Sequence, residues 1–119
     1  MPSDESSPSA AELLRERYAR RLPSSLGELI GPSHGTVQLP LHVAWSGLTR
    51  FDLDRPRLRM SMYRTVLAEG QRDDLVTLLN RDLLVSQWPV LRTLISRAIR
   101  DVWESAFPEL TAAHSATAA

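Results

Sequence analysis

The side chains best suited to hold a metal or move a proton are three histidines, His34, His42 and His114, and the adjacent acids Asp73 and Asp74. The histidines are scattered, without a His-x-x-x-His pair or an acid at ligand spacing, whereas zinc needs three or four convergent donors. Asp73 and Asp74 are successive, so on a helix they diverge by about 100 degrees and cannot share a proton. Their expected use is to complement a helix N-terminus. The chain has no cysteine, which removes thiolate nucleophiles, disulfides and thiolate metal ligands. It carries no Gly-x-Ser-x-Gly elbow, glycine-rich phosphate loop or kinase signature. The expectation is a protein that is not an enzyme, with no catalytic residues, metal or cofactor.

The charge pattern is more informative. All fourteen basic residues are arginine, and fourteen acids balance them to a formal net charge of zero. Exclusive arginine fits a GC-rich coding bias, and it also suits bidentate recognition of carboxylates and phosphates. Zero net charge opposes the coating of nucleic acid by bulk electrostatics. Arg50, Arg55, Arg57, Arg59 and Arg64 follow closely, opposed locally only by Asp52 and Asp54. Such a run is either a solvated helix face or a basic ridge that meets an acidic partner surface or phosphates. With Arg55 and Arg59 four apart on one face, the candidate partner-binding residues are Arg55, Arg59 and Arg64. A second candidate contact is the apolar hairpin face around Val43, Trp45 and Phe51. The turn at Glu69, Gly70 and Gln71 has the outline of a helix-turn-helix. The helices that would enter a groove are mostly apolar or acidic, while recognition helices need polar side chains at base edges, so nucleic acid is not the expected partner.

These residues need a scaffold, and helical periodicity supplies most of it. Ser9 and Glu12 form a capping box before a first helix reaching about Leu22, where Pro23 follows. Pro23 to Gly35 reads as linker or loop, with a short turn around Leu26 to Ile30. Val37, Leu39, Leu41, Val43 and Trp45 alternate with Gln38, Pro40, His42 and Ala44, which is the pattern of a half-buried strand interrupted at Pro40. Ser46 and Gly47 then turn the chain, and Phe51 and Leu53 make the second strand of a hairpin. Asp54 is the expected N-cap of a helix with Pro56 in its first turn, ending at Gly70. Three further helices follow: Arg72 to Leu79, Arg81 to Trp88 closed by Pro89, and Leu94 to Phe107. Their apolar residues, with Trp88 and Trp103 among them, are bulky enough for one core.

The fold class expected is mainly α, a small helical domain with one β-hairpin and disordered N- and C-terminal tails. Residues 1–8 form one tail, 9–35 the N-terminal helix and linker, 36–110 the hairpin and helical domain, and 111–119 the other tail. No stretch approaches the roughly 18 apolar residues of a membrane span, and the N-terminus carries acid rather than a basic leader. A cytoplasmic protein without a membrane partner is expected.

Leu39-Pro40-Leu41-His42, Trp45-Ser46-Gly47, Phe51-Asp52-Leu53-Asp54, Val66-Leu67-Ala68-Glu69-Gly70, Asp74-Leu75, Leu79-Asn80, Trp88-Pro89 and Trp103-Glu104-Ser105-Ala106-Phe107-Pro108 occur in an order with a family likeness. From about Leu22 to Leu110 the chain resembles small actinobacterial antitoxins encoded beside nucleotidyltransferase-like toxins of the abortive-infection-E type. Ile95 stands where the family usually has a proline, and Gln71 where it has a threonine cap. The resemblance implies an antitoxin whose partner is a cognate nucleotidyltransferase toxin, neutralised by direct protein-protein binding, with the transfer-RNA-modifying chemistry belonging to that toxin. The alternative is a transcriptional regulator or DNA-binding accessory protein.

Overall fold

The computed structural model describes residues 9–44 and 47–112. The chain is mostly helical with one two-stranded antiparallel hairpin: α1 (Ala10–Ala19), a 3-10 turn (Leu26–Glu28), β1 (Thr36–Gln38), β2 (Arg50–Asp52), α2 (Pro56–Glu69), α3 (Arg72–Leu78), α4 (Arg81–Leu91) and α5 (Arg97–Ala106). A further helical turn covers 109–112, where Ala112 N–H donates to the Pro108 carbonyl. Among the described residues no helix is long and apolar enough to cross a membrane. The expected tail 1–8, residues 113–119 and Trp45 lie outside the described residues.

Helix ends follow local chemistry. Ser9 and Glu12 form the reciprocal capping box at α1, and the Asn80 side chain accepts from the amides of Asp82 and Leu83 to open α4. Ser96 does the same for α5 through Ile99, so the last helix begins at Arg97 rather than Leu94. Asp54 does not cap α2. Its carboxylate instead faces Gly35 N–H and His34, and Arg55 occupies the cap position with Pro56 at the start of the helix. Nor does Pro89 end α4, which continues to Leu91. Pro89 lies inside the helix, where its missing N–H forfeits the bond to the Val85 carbonyl, and burial of Trp88 and Leu91 on either side offsets that loss.

The hairpin is shorter than the alternating pattern predicts. Val37 pairs with Phe51 and both face the core, and a last backbone bond runs from Leu39 N–H to Thr49. Pro40 has no N–H to continue the ladder. The chain coils there, with the amides of Val43 and Ala44 both donating to the Pro40 carbonyl at 3.0 Å. Coiling breaks the two-residue alternation: Leu41 is 78% exposed while Val43 and the neighbouring Ala44 are buried.

The supposed linker is part of the core. Leu26 and Leu29 are buried, and Ile30 forms an isolated antiparallel bridge with Asn80. The amides of Ile30 and Gly31 donate to Val76 and Leu79 at 3.0 and 2.8 Å, while Asn80 Nδ2 donates back to the Gly31 carbonyl at 3.1 Å. Gly31 permits this approach because a Cβ there would stand 2.5 Å from the backbone carbon of Leu78. Below the bridge lies Tyr63, fully buried, whose hydroxyl accepts from Asn80 N–H at 2.8 Å. Burial pushes the Tyr63 phenol up to about 12. Residues 9–35 and 36–110 are therefore not independent packing units beyond Leu22.

Candidate protein-interaction surface

The arginine run does not form one ridge. Arg59 turns inward, its Nε donating to Gln87 Oε1 at 3.2 Å and its Nη1 to the Leu53 carbonyl at 3.2 Å. It ties the end of the hairpin to α4 and is not free to meet a partner. Arg55 remains exposed, 3.9 Å from Asp52 across an open ion pair, which in water is worth roughly 0–1 kcal/mol. Arg50 reaches Gln38 across the hairpin at 3.4 Å. Arg57 and Arg64 are exposed, and seven residues apart they share the solvent face of α2 with Ser61 between them.

The apolar hairpin face expected to touch a partner is also redistributed. Val43 and Phe51 are 1% and 2% exposed and belong to the central cluster of buried residues. The physical cause is the coil after Pro40, which rotates Val43 inward, and the Val37–Phe51 pairing, which aims Phe51 at α2. Trp45 lies outside the described residues. The apolar side chains that the hairpin loop presents instead are Leu41 and Leu48, at 78% and 60% exposure, a combination that alternation along a strand does not reveal.

Arg64 occupies the most informative position of the sequence-selected set. It borders a cavity of about 230 Å³ whose other walls are Tyr18 of α1, Ala68 of α2, Leu94, Ile95 and Ser96 of the α4–α5 connection, and Ile99 of α5. Leu94 is itself well exposed at the rim. An apolar concavity with a guanidinium at its edge can accept an aliphatic or aromatic side chain and pair a neighbouring carboxylate, the arrangement of an interface anchor.

The wall formed by Leu94–Ser96 is held from beneath by a polar cluster. Glu104 on α5 accepts from the Trp88 indole N–H at 2.8 Å and from Arg92 Nε and Nη2 at 2.6 and 3.3 Å. The Arg92 hydrogen bond, assisted by the Trp88 indole, holds the Glu104 carboxyl below its usual range, and the same bond raises Arg92. Because Arg92 starts the connection that carries Leu94 and Ile95, this cluster fixes the cavity's far side.

α1 forms the near side, packed along α5 with Tyr18 against the core cluster. None of its residues is fully buried, and a ten-residue helix is not stable alone in water. It lies against α5, with the Arg15–Asp101 ion pair at 3.3 Å, over a groove of about 520 Å³ walled by Ala19, Leu22, Val102 and Ala106.

The remaining chemistry-bearing residues fall apart. His42 Nε2 lies 2.7 Å from Asp74, and that carboxylate also accepts from Gln71 N–H at 2.8 Å to cap α3. His34 faces Asp54 at 3.3 Å, and His114 lies outside the described residues. Among the described residues no three potential ligands of the His, Cys, Asp or Glu type stand together. Gly70 and Gln71 do join α2 to α3 as a tight turn, and the exposed side of α3 offers Arg72, Asp73 and Thr77.

Comparison of the chain with protein-family models, with curated proteins and with solved structures finds no match in any of the three.

Proposed function

We propose that this chain is an antitoxin that neutralises a nucleotidyltransferase toxin by direct binding, with the Arg64 cavity and the adjoining Arg57 face of α2 as contact surface. The order of short sequence blocks from Leu22 to Leu110 supports the choice of partner. The observation that carries the mode of action is Arg64 at the rim of an apolar cavity assembled from three helices. A side chain seated there is partly desolvated and contributes affinity, while Arg57 and Arg55, exposed beyond it, speed encounter with an acidic surface. Leu41 and Leu48 supply further apolar contact.

The test is co-expression with the toxin-like product of the neighbouring gene. Wild type should rescue growth and co-purify with that product. Arg64→Glu should weaken the complex by at least tenfold without lowering the melting temperature, and Arg57→Glu should mainly slow association, more so at low salt. Rescue without any physical complex, or full rescue by both variants, would remove contact through this surface.

A further inference from the structure

A second cavity, about 270 Å³, is lined by five residues: Arg17 of α1, Arg20 and Arg21 just past its end, and Gln71 and Arg72 at the start of α3. Four guanidinium groups thus converge from two elements that are 50 residues apart in sequence. Local acids face only two of the four, Arg20 and Arg72. Glu16 lies 3.6 Å from Arg20 and Glu28 lies 3.9 Å from Arg72, both as open, exposed pairs. Arg21 donates through Nη1 to the Ala68 carbonyl at 3.4 Å and rests on the Tyr18 ring at 5.6 Å. Arg17 makes no ion pair with any described residue.

Arginines at the end of α1 are ordinary, since cations complement a helix C-terminus. Arg72 is not explained that way, because it begins α3, where the dipole disfavours a cation. Its Nη2 donates to Ser24 Oγ at 3.0 Å, a contact that holds it beside the other three. Like charges gathered in a small concavity repel, and an anion with several oxygens removes that repulsion while using the planar forks bidentately. The cavity is compact, which suits a cluster of phosphoryl oxygens better than an extended acidic peptide or the continuous backbone of a duplex.

We infer that the Arg17, Arg20, Arg21 and Arg72 cavity binds an oligophosphate group and that the bound anion fastens α1 to α3. The consequence for α1 follows from linkage: a ligand that contacts both elements favours the state in which they are together. α1 packs on α5 but has no fully buried residue, so an added tie to α3 registers in the exchange of its amides. This site shares no lining residue with the Arg64 cavity, though Arg21 touches two of that cavity's walls, Tyr18 and Ala68, and the inference does not depend on the antitoxin reading.

Inorganic tripolyphosphate is the probe, titrated into the full chain by calorimetry at 50 and 200 mM salt, with amide hydrogen exchange of α1 followed in parallel. Binding that weakens steeply with salt and slower exchange over residues 10–19 are expected. Arg17→Ala with Arg72→Ala should weaken binding about tenfold or more, the scale of losing charged hydrogen bonds. It should also abolish the protection while leaving the melting temperature of the unliganded protein unchanged. Arg97→Ala, an exposed arginine on α5, is the control and should bind as wild type. A nucleoside triphosphate that binds tighter than tripolyphosphate would assign the natural ligand to nucleotides, and equal affinity would assign it to the phosphate chain alone. No binding at millimolar tripolyphosphate, unchanged affinity in the double variant, or tighter binding of a glutamate-rich peptide or duplex DNA would each overturn the proposal.

Discussion

Replacing Glu104 by alanine tests whether one carboxylate organises the junction of α4 and α5. Trp88 is fully buried and its indole N–H donates to Glu104. Without that acceptor a buried donor is left unmet, at a cost of about 1–3 kcal/mol. The Arg92 pair adds less: the Arg92 side chain is 38% exposed and Glu104 19%, so solvent screening limits it to about 1 kcal/mol or below. The sum, roughly 1–4 kcal/mol, is a substantial part of the 5–15 kcal/mol typical of a domain. It should lower the melting temperature by about 10 °C at a chain length near 100 residues. Glu104→Gln keeps an oxygen for Trp88 and gives up only the charge, so it should cost about 1 kcal/mol. The pH dependence has a definite sign. The folded carboxyl sits below its ordinary value of 4.5, so its stabilisation is complete above that value and is lost as pH falls through the lowered one. The advantage of wild type over Glu104→Gln should therefore vanish in acid. Urea melts of the three proteins between pH 3 and 7 provide the measurement. Glu104→Ala within about 0.5 kcal/mol of wild type, or Glu104→Gln as damaging as alanine, would refute the role assigned to the carboxylate.

Trp103 is buried and packs on Phe107 with ring centroids 5.4 Å apart, so Trp103→Ala should cost about 3–5 kcal/mol in thermal melts. Tyr63→Phe leaves Asn80 N–H without its acceptor and should lose about 1–3 kcal/mol in denaturant unfolding. The folded Tyr63 phenol ionises at about 12 rather than 10.0. Wild-type stability should accordingly fall as pH rises past 10, more steeply than that of Tyr63→Phe. Gly31→Ala drives a Cβ into the Leu78 and Leu79 backbone. It should break the Ile30–Asn80 bridge, seen as faster exchange of the Gly31 amide, and destabilise by more than the roughly 1 kcal/mol of an ordinary glycine replacement.

Local chemistry is written locally, and the chain by itself determined what depends on it. Ser9 with Glu12, Asn80, and the stop at Gly70 fix helix ends because a cap needs only a neighbour three or four residues away. The apolar spacing around Leu84, Trp88, Leu91, Ile99 and Trp103 put the core on α4 and α5 for the same reason. Arg64 was legible as an exposed cation from its place in an arginine run, but the cavity beside it was not. Its walls come from Tyr18, Leu94 and Ile99, which only packing brings together. Tertiary structure alone decided that Arg59 serves the fold, since Gln87 lies 28 residues away. It turned Val43 inward, because a coil after Pro40 replaced the strand, and it took Leu26 and Leu29 into the core while Ile30 and Gly31 pair with the α3–α4 junction. Convergence of Arg17, Arg20 and Arg21 on Arg72 is likewise invisible in a chain that separates them by some 50 residues. Net charge sums over the whole sequence, whereas an anion responds to the field of the few groups that folding gathers at one point.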